Sequence, residues 1–134
     1  MLAERSHTTE ETILGPFEVA ADRASVARFA QETGARDGGV PATFPIVWLS
    51  GAELKAALRA AAGPDCLPVH ESQAFDYIRP LTPGDAYRLT AVARRVAAPD
   101  RLIVEASVSD RGGAVALTMR AVLRIVPLAG GSVR

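Results

Sequence analysis

Hydrophobic positions along this chain recur with two different periods, and the change of period divides it in two. From Asp22 to Ala62 the spacing is helical. Val26, Phe29 and Ala30 share one face behind Asp22, a cap residue placed three positions before Ser25, and Gly34 ends the run. A longer helix is predicted from Phe44 to Ala62. Its first half is apolar nearly all round (Phe44, Ile46, Val47, Trp48, Leu49), and Glu53, Lys55 and Arg59 come only later, so it starts buried and emerges into solvent. Between the two helices, Ala35 to Val40 reads as a tight loop around Gly38-Gly39. Ahead of both, Phe17 to Ala20 alternates for one short strand. Residues 1–15 show no period and end in the breaker pair Gly15-Pro16, so a flexible arm is expected there, with the folded domain over 16–127 and a flexible tail over 128–134.

After Gly63-Pro64 the period becomes two. Four strands are predicted, over Leu67 to Ile78, Ala86 to Ala97, Leu102 to Ser109 and Ala114 to Val126. Turn residues separate them: Arg79-Pro80-Leu81-Thr82-Pro83-Gly84-Asp85, then Ala98-Pro99-Asp100, then Asp110-Arg111-Gly112-Gly113. Such short links imply antiparallel neighbours. Leu102, Val104, Ala106 and Val108 alternate with Ile103, Glu105, Ser107 and Ser109, and Leu117, Met119, Ala121, Leu123 and Ile125 alternate with Thr118, Arg120 and Arg124. One sheet face is therefore apolar and needs a cover. Only the helix from Phe44 to Ala62 is apolar enough to supply it, which predicts an α+β domain with a curved antiparallel sheet wrapped around a long central helix.

Composition narrows the function. A chain of 134 residues suits one domain. Its 15 basic and 15 acidic residues balance and are interspersed, so the basic footprint of a nucleic-acid binder is missing. One cysteine, Cys66, cannot close an internal disulfide, and no Cys/His cluster has metal-ligand spacing, so no metal or cofactor is implied. The start of the chain lacks a basic, apolar leader and no later stretch reaches transmembrane length; a cytoplasmic protein without a membrane partner is expected.

The segment Val69-His70-Glu71-Ser72-Gln73-Ala74-Phe75-Asp76-Tyr77-Ile78-Arg79-Pro80-Leu81-Thr82-Pro83-Gly84-Asp85 resembles the strand and turn of MaoC-like and fatty-acid-synthase-type dehydratases, which read like H-x-x-Q-x-F-x-Y-x-R-P-L-x-P-G-D. Pro41-Ala42-Thr43-Phe44-Pro45 is similar to the A-P-x-T-F-P that opens the central helix in that family. The resemblance implies a hot-dog fold and an (R)-3-hydroxyacyl thioester, carried by coenzyme A or acyl carrier protein, as substrate. It also implies pairing with a second hot-dog subunit, identical or different. Active members carry a motif like D-x-N-P-x-H after the first helix, where an Asp and a His activate one water. The corresponding stretch here, from Glu32 to Pro41, has neither Asn-Pro nor His.

That departure ranks the readings. The first is an accessory acyl-binding subunit of a dehydratase or enoyl hydratase in fatty-acid or polyketide metabolism, with the catalytic Asp and His in a partner chain. The second is a homodimeric enzyme using His70, with Asp37 or Glu71 contributed across the interface. The third is a non-enzymatic acyl-thioester-binding domain. His70 is a candidate because imidazole is the side chain suited to proton transfer near neutrality, although a structural histidine is the commoner case. Asp37 precedes Gly-Gly, where an Asp is usually a turn residue. Strand alternation puts His70 and Ser72 on one face and Glu71 on the other. Phe44, Ile46, Val47 and Trp48 are the candidate acyl contacts, with the N–H groups of Ile46 and Val47 as donors to a thioester carbonyl. Arg94, Arg95 and Arg120 are candidates to meet an acidic carrier. Hydrolysis ranks lower, because the first acid of the central helix is Glu53, well past its expected entry.

Overall fold

The computed structural model describes residues 11–34, 39–97 and 99–128. Five strands and three helices follow one another in chain order. They are β1 (Glu11–Ala20), α1 (Arg23–Thr33), α2 (Ile46–Leu49), α3 (Ala52–Ala62), β2 (Cys66–Tyr77), β3 (Ala86–Val96), β4 (Arg101–Ser109) and β5 (Val115–Pro127). The strands form one antiparallel sheet in the order β1-β3-β4-β5-β2, which leaves β1 and β2 as its edges.

Alternation places the core as the sequence predicts. Leu102, Val104, Ala106 and Val108 of β4 and Leu117, Met119, Ala121, Leu123 and Ile125 of β5 are buried on the concave face, beside Leu89, Ala91 and Ala93 of β3. Leu54, Leu58 and Ala62 of α3 are buried among them. The convex face carries Arg88, Glu105, Thr118, Arg120 and Arg124.

Local chemistry sets the element ends. Asp22 caps α1 by accepting from the Ser25 N–H at 3.0 Å, and Gly34 closes it in the left-handed region with its N–H donated to the Ala30 carbonyl. The Arg79-to-Asp85 corner is a clamp. The Gly84 N–H donates to the Ala21 carbonyl at 2.7 Å, and the Ala21 N–H donates to the Asp85 carbonyl at 2.9 Å. The Thr82 N–H donates to the Tyr87 hydroxyl at 2.9 Å, while Leu81 fills the core. The corner thereby ties the start of β3 to the start of α1.

Three sequence expectations are corrected. Residues 11–15, assigned to the arm, belong to β1 and pair with β3, and Gly15-Pro16 forms a register shift within the strand rather than its boundary. Residues 1–10 and the tail beyond Leu128 lie outside the described residues. The helix expected from Phe44 to Ala62 is two helices. Gly51 adopts an extended ψ of 149°, so α2 stops at Leu49 and α3 starts afresh at Ala52. Finally, β2 has a register shift between His70 and Ser72. His70 pairs with buried Leu123 and Ser72 with Val122, so the two lie on opposite faces.

Candidate functional site

The one-residue bulge at Glu71 decides what faces the helices. Beyond it the concave face of β2 carries Gln73, Phe75 and Tyr77, paired with Ala121, Met119 and Leu117; before it, the same face carries Pro68 and His70, paired with Ile125 and Leu123. Glu71 is engaged elsewhere. Arg101 grips its carboxylate from both ends, Nε to Oε1 at 2.6 Å and Nη2 to Oε2 at 3.1 Å, and Arg101 pairs with Arg124 on the convex face. Glu71 is therefore neither beside His70 nor free to serve as a base.

His70 and Pro68 form one wall of a groove of about 570 Å³ between the sheet and the helices. Val104, Ala121 and Leu123 are its floor, and Phe29, Ile46, Val47, Leu49 and Leu58 face them. Its polar groups are Glu32 at the end of α1, Ser50 at the break between α2 and α3, Lys55 of α3, and His70; all four are exposed. An aliphatic trough with a few polar groups at its rim, in the size range of small-molecule pockets, suits a fatty chain with a polar head.

Of the candidate acyl contacts, Ile46 and Val47 line this groove. Phe44 and Trp48 do not. They line a separate hollow of about 360 Å³ against β1, together with Phe17, Glu53, Leu54 and Leu89. Phe44 is stacked edge-on between Phe29 (5.6 Å) and Trp48 (5.9 Å), and the Trp48 indole N–H donates to the Ala20 carbonyl at 3.1 Å. Both are packing residues that lock α2 to β1 and α1. The N–H groups of Ile46 and Val47 already donate to the Thr43 and Phe44 carbonyls, at 3.1 and 2.9 Å, which removes them as donors to a thioester. Asp37 lies outside the described residues.

Tyr77 closes the lower end of the face. Its hydroxyl donates to the Ala42 carbonyl at 2.6 Å, tying β2 to the loop that leads into α2, and burial pushes its pKa up to about 12. Of the three arginines considered for a carrier, Arg95 is committed to the Ala62 carbonyl (2.9 Å) and Asp100 (3.6 Å), and Arg120 faces Glu105 at 3.9 Å. Arg94 lies on the convex face, opposite Ile103.

Sequence reasoning missed Glu32, Ser50 and Lys55 as groove residues, and it misplaced Glu53. Because the helix restarts at Ala52, Glu53 sits in the first turn of α3 rather than far along a single helix. The dipeptide Ser50-Gly51 was the available signal for that restart. Among the described residues no group of acidic, His and Cys side chains could hold a metal, and no helix is long and apolar enough to cross a membrane.

Neither a protein-family model nor a curated relative matches the sequence. Solved structures do match the fold. A subunit of the HadBC (3R-hydroxyacyl-ACP dehydratase) complex from Mycobacterium tuberculosis superposes with a TM-score of 0.64 at 17% identity, over 85% of this chain and 96% of that one. A hot-dog-like protein from Thermanaerovibrio acidaminovorans gives 0.65 at 11% identity, over 90% and 83%. TTHA0967 from Thermus thermophilus, a thioesterase superfamily member, gives 0.61 at 17% identity, over 92% and 86%. The sheet packed against α3 is thus a hot-dog fold, and the chain is an α+β hot-dog domain.

Proposed function

We propose that this chain is an acyl-thioester-binding subunit of an (R)-3-hydroxyacyl-thioester dehydratase or enoyl hydratase, in which a second hot-dog chain supplies the water-activating Asp and His. The observation that carries the reading is the groove beside His70, aliphatic along its floor and polar only at its rim. An acyl chain would lie along Val104, Ala121 and Leu123, with the thioester toward Ser50, Lys55 and His70. Two further facts agree with a paired assembly. The outer side of β2 has no partner strand among the described residues, and an unpaired edge twelve residues long favours strand addition. The structurally similar HadBC dehydratase is itself a complex.

Elimination of water across the α,β bond needs one group to take the α-proton and one to protonate the leaving hydroxyl. This chain offers His70 in the groove and Glu32 as the one acid among the groove's lining residues, without the Asp/His motif of the active family members. Its role in the assembly is then to hold and orient the acyl chain while the partner performs the proton transfers. The test is mass determination in solution, alone and mixed with a catalytic hot-dog chain, coupled to turnover of crotonyl and 3-hydroxyacyl thioesters. A heterodimer that turns over while this chain alone does not is the expected result. A homodimer active by itself overturns it, and His70→Ala then decides whether His70 is the base.

A second reading, thioester hydrolysis, is favoured by one observation: Glu53 stands in the first turn of α3 on the wall of the hollow against β1. A carboxylate there could activate water against a thioester carbonyl polarised by the helix N-terminus. Release of free coenzyme A from an acyl thioester, abolished by Glu53→Gln, would establish it.

A further inference from the structure

Lys55 is the chain's single lysine; the remaining basic side chains are arginines. It is also the only lysine or arginine among the residues that line the groove beside His70. Lys55 and Leu58 are three residues apart on one face of α3, and Leu58 is buried in the groove wall, so the aliphatic stem of Lys55 runs along the same wall. Side chains on a helix lean toward its N-terminus, which here carries the amine toward Ser50 at the groove's rim. Lys55 is exposed, and among the described residues no carboxylate stands within ion-pair distance of it. A primary amine without a paired acid thus stands at the mouth of an apolar groove.

An arginine at this position would attract an anion but could not react, whereas a lysine amine is a nucleophile toward carbonyl carbon. An acyl chain lying along Val104, Ala121 and Leu123 puts its thioester at this rim. Amine and electrophile are then held in one place, which replaces a bimolecular encounter by an intramolecular one. We infer that Lys55 is a self-acylation site, at which the bound acyl thioester transfers its acyl group to the side-chain nitrogen. The neutral amine attacks the thioester carbonyl carbon, a C–N bond forms and the C–S bond breaks. The coenzyme A thiolate leaves and takes up the proton that the nitrogen gives up. The products are an Nε-acyl-lysine and free coenzyme A, with no change of oxidation state. The acyl chain stays in the groove on its new tether and closes it to further thioester. This rests on the groove's being the acyl-thioester site.

The test incubates the full chain with hexanoyl-CoA or acetyl-CoA and follows acylation by intact mass and peptide mapping, with binding measured alongside by calorimetry. The N-terminal amine is the internal reference. α-Amino groups shed their proton more readily than alkylammonium groups, so without a groove the N-terminus is acylated first. With hexanoyl-CoA, Lys55 is expected to gain its acyl group roughly tenfold faster than the N-terminus, and in urea the order reverses. Hexanoyl-CoA is expected to outpace acetyl-CoA at Lys55 by roughly tenfold, because the longer chain buries more methylenes in the groove. In Ala121→Trp, which fills the groove floor, Lys55 loses its advantage while the N-terminus is acylated as before; should that variant not fold, the comparison of chain lengths in the wild type decides. Lys55 acylated no faster than the N-terminus while hexanoyl-CoA binds overturns the inference and leaves the groove reading standing. Acetyl-CoA reacting at Lys55 as fast as hexanoyl-CoA overturns it too, since it marks an amine that is accessible and nothing more. Absence of hexanoyl-CoA binding removes the groove reading and the inference with it.

Discussion

Tyr77 links two parts of the site through one hydroxyl, and its titration exposes the link. Burial disfavours the phenolate, so the folded-state pKa of about 12 lies above the ordinary value of 10.0. The stability this reflects is complete below pH 10 and is lost as the pH rises toward 12. Absorbance at 295 nm is expected to show this phenol ionising late, and Tyr77→Phe removes that late component and loosens the entry to α2. Asp22 behaves in the opposite sense. The Ser25 N–H bond holds its pKa below 3.8, so its contribution is present above that value and fades as the pH falls through the lowered one. Asp22→Ala is expected to lower the melting temperature at pH 7, with the difference from wild type shrinking in acid.

Single elements show how much a period reveals and where it stops. The predicted ends of β3, β4 and β5 agree with the structure to within a residue or so, because hydrophobic alternation reports directly on which face is buried. One-residue events escaped it. The bulge at Glu71 reversed the expected pairing of His70 with Ser72, and the extended backbone of Gly51 split a continuous helical pattern. In β1, Gly15 looks like a terminator but is a requirement of pairing. Its φ is +93°, and a Cβ there would stand 2.8 Å from the Leu89 carbonyl oxygen. Gly15→Ala should therefore cost about 1–3 kcal/mol, read from denaturant midpoints. Leu58 of α3 is buried and also lines the groove. Leu58→Ala should lose about 2–5 kcal/mol while enlarging the space for an acyl chain. The groove's floor was legible in the alternation of β4 and β5. Its rim was not, since Glu32, Ser50 and Lys55 come from three places that only the packing brings together.

At the scale of the whole molecule, the sheet curls around one apolar helix and the concave side is not completely filled. Among the described residues one hollow lies against β1 and another beside β2. In the proposed function the acyl chain occupies the second. Methyl NMR of leucine and valine side chains, followed during titration with hexanoyl-CoA, separates the two directly. Shifts are expected at Leu58, Val104 and Leu123, which line the groove beside His70, with Leu54 and Leu89 of the other hollow unmoved. Perturbation confined to Leu54 and Leu89 would contradict the account and favour the site at Glu53, and a spectrum unchanged at all five would contradict acyl-thioester binding by this chain.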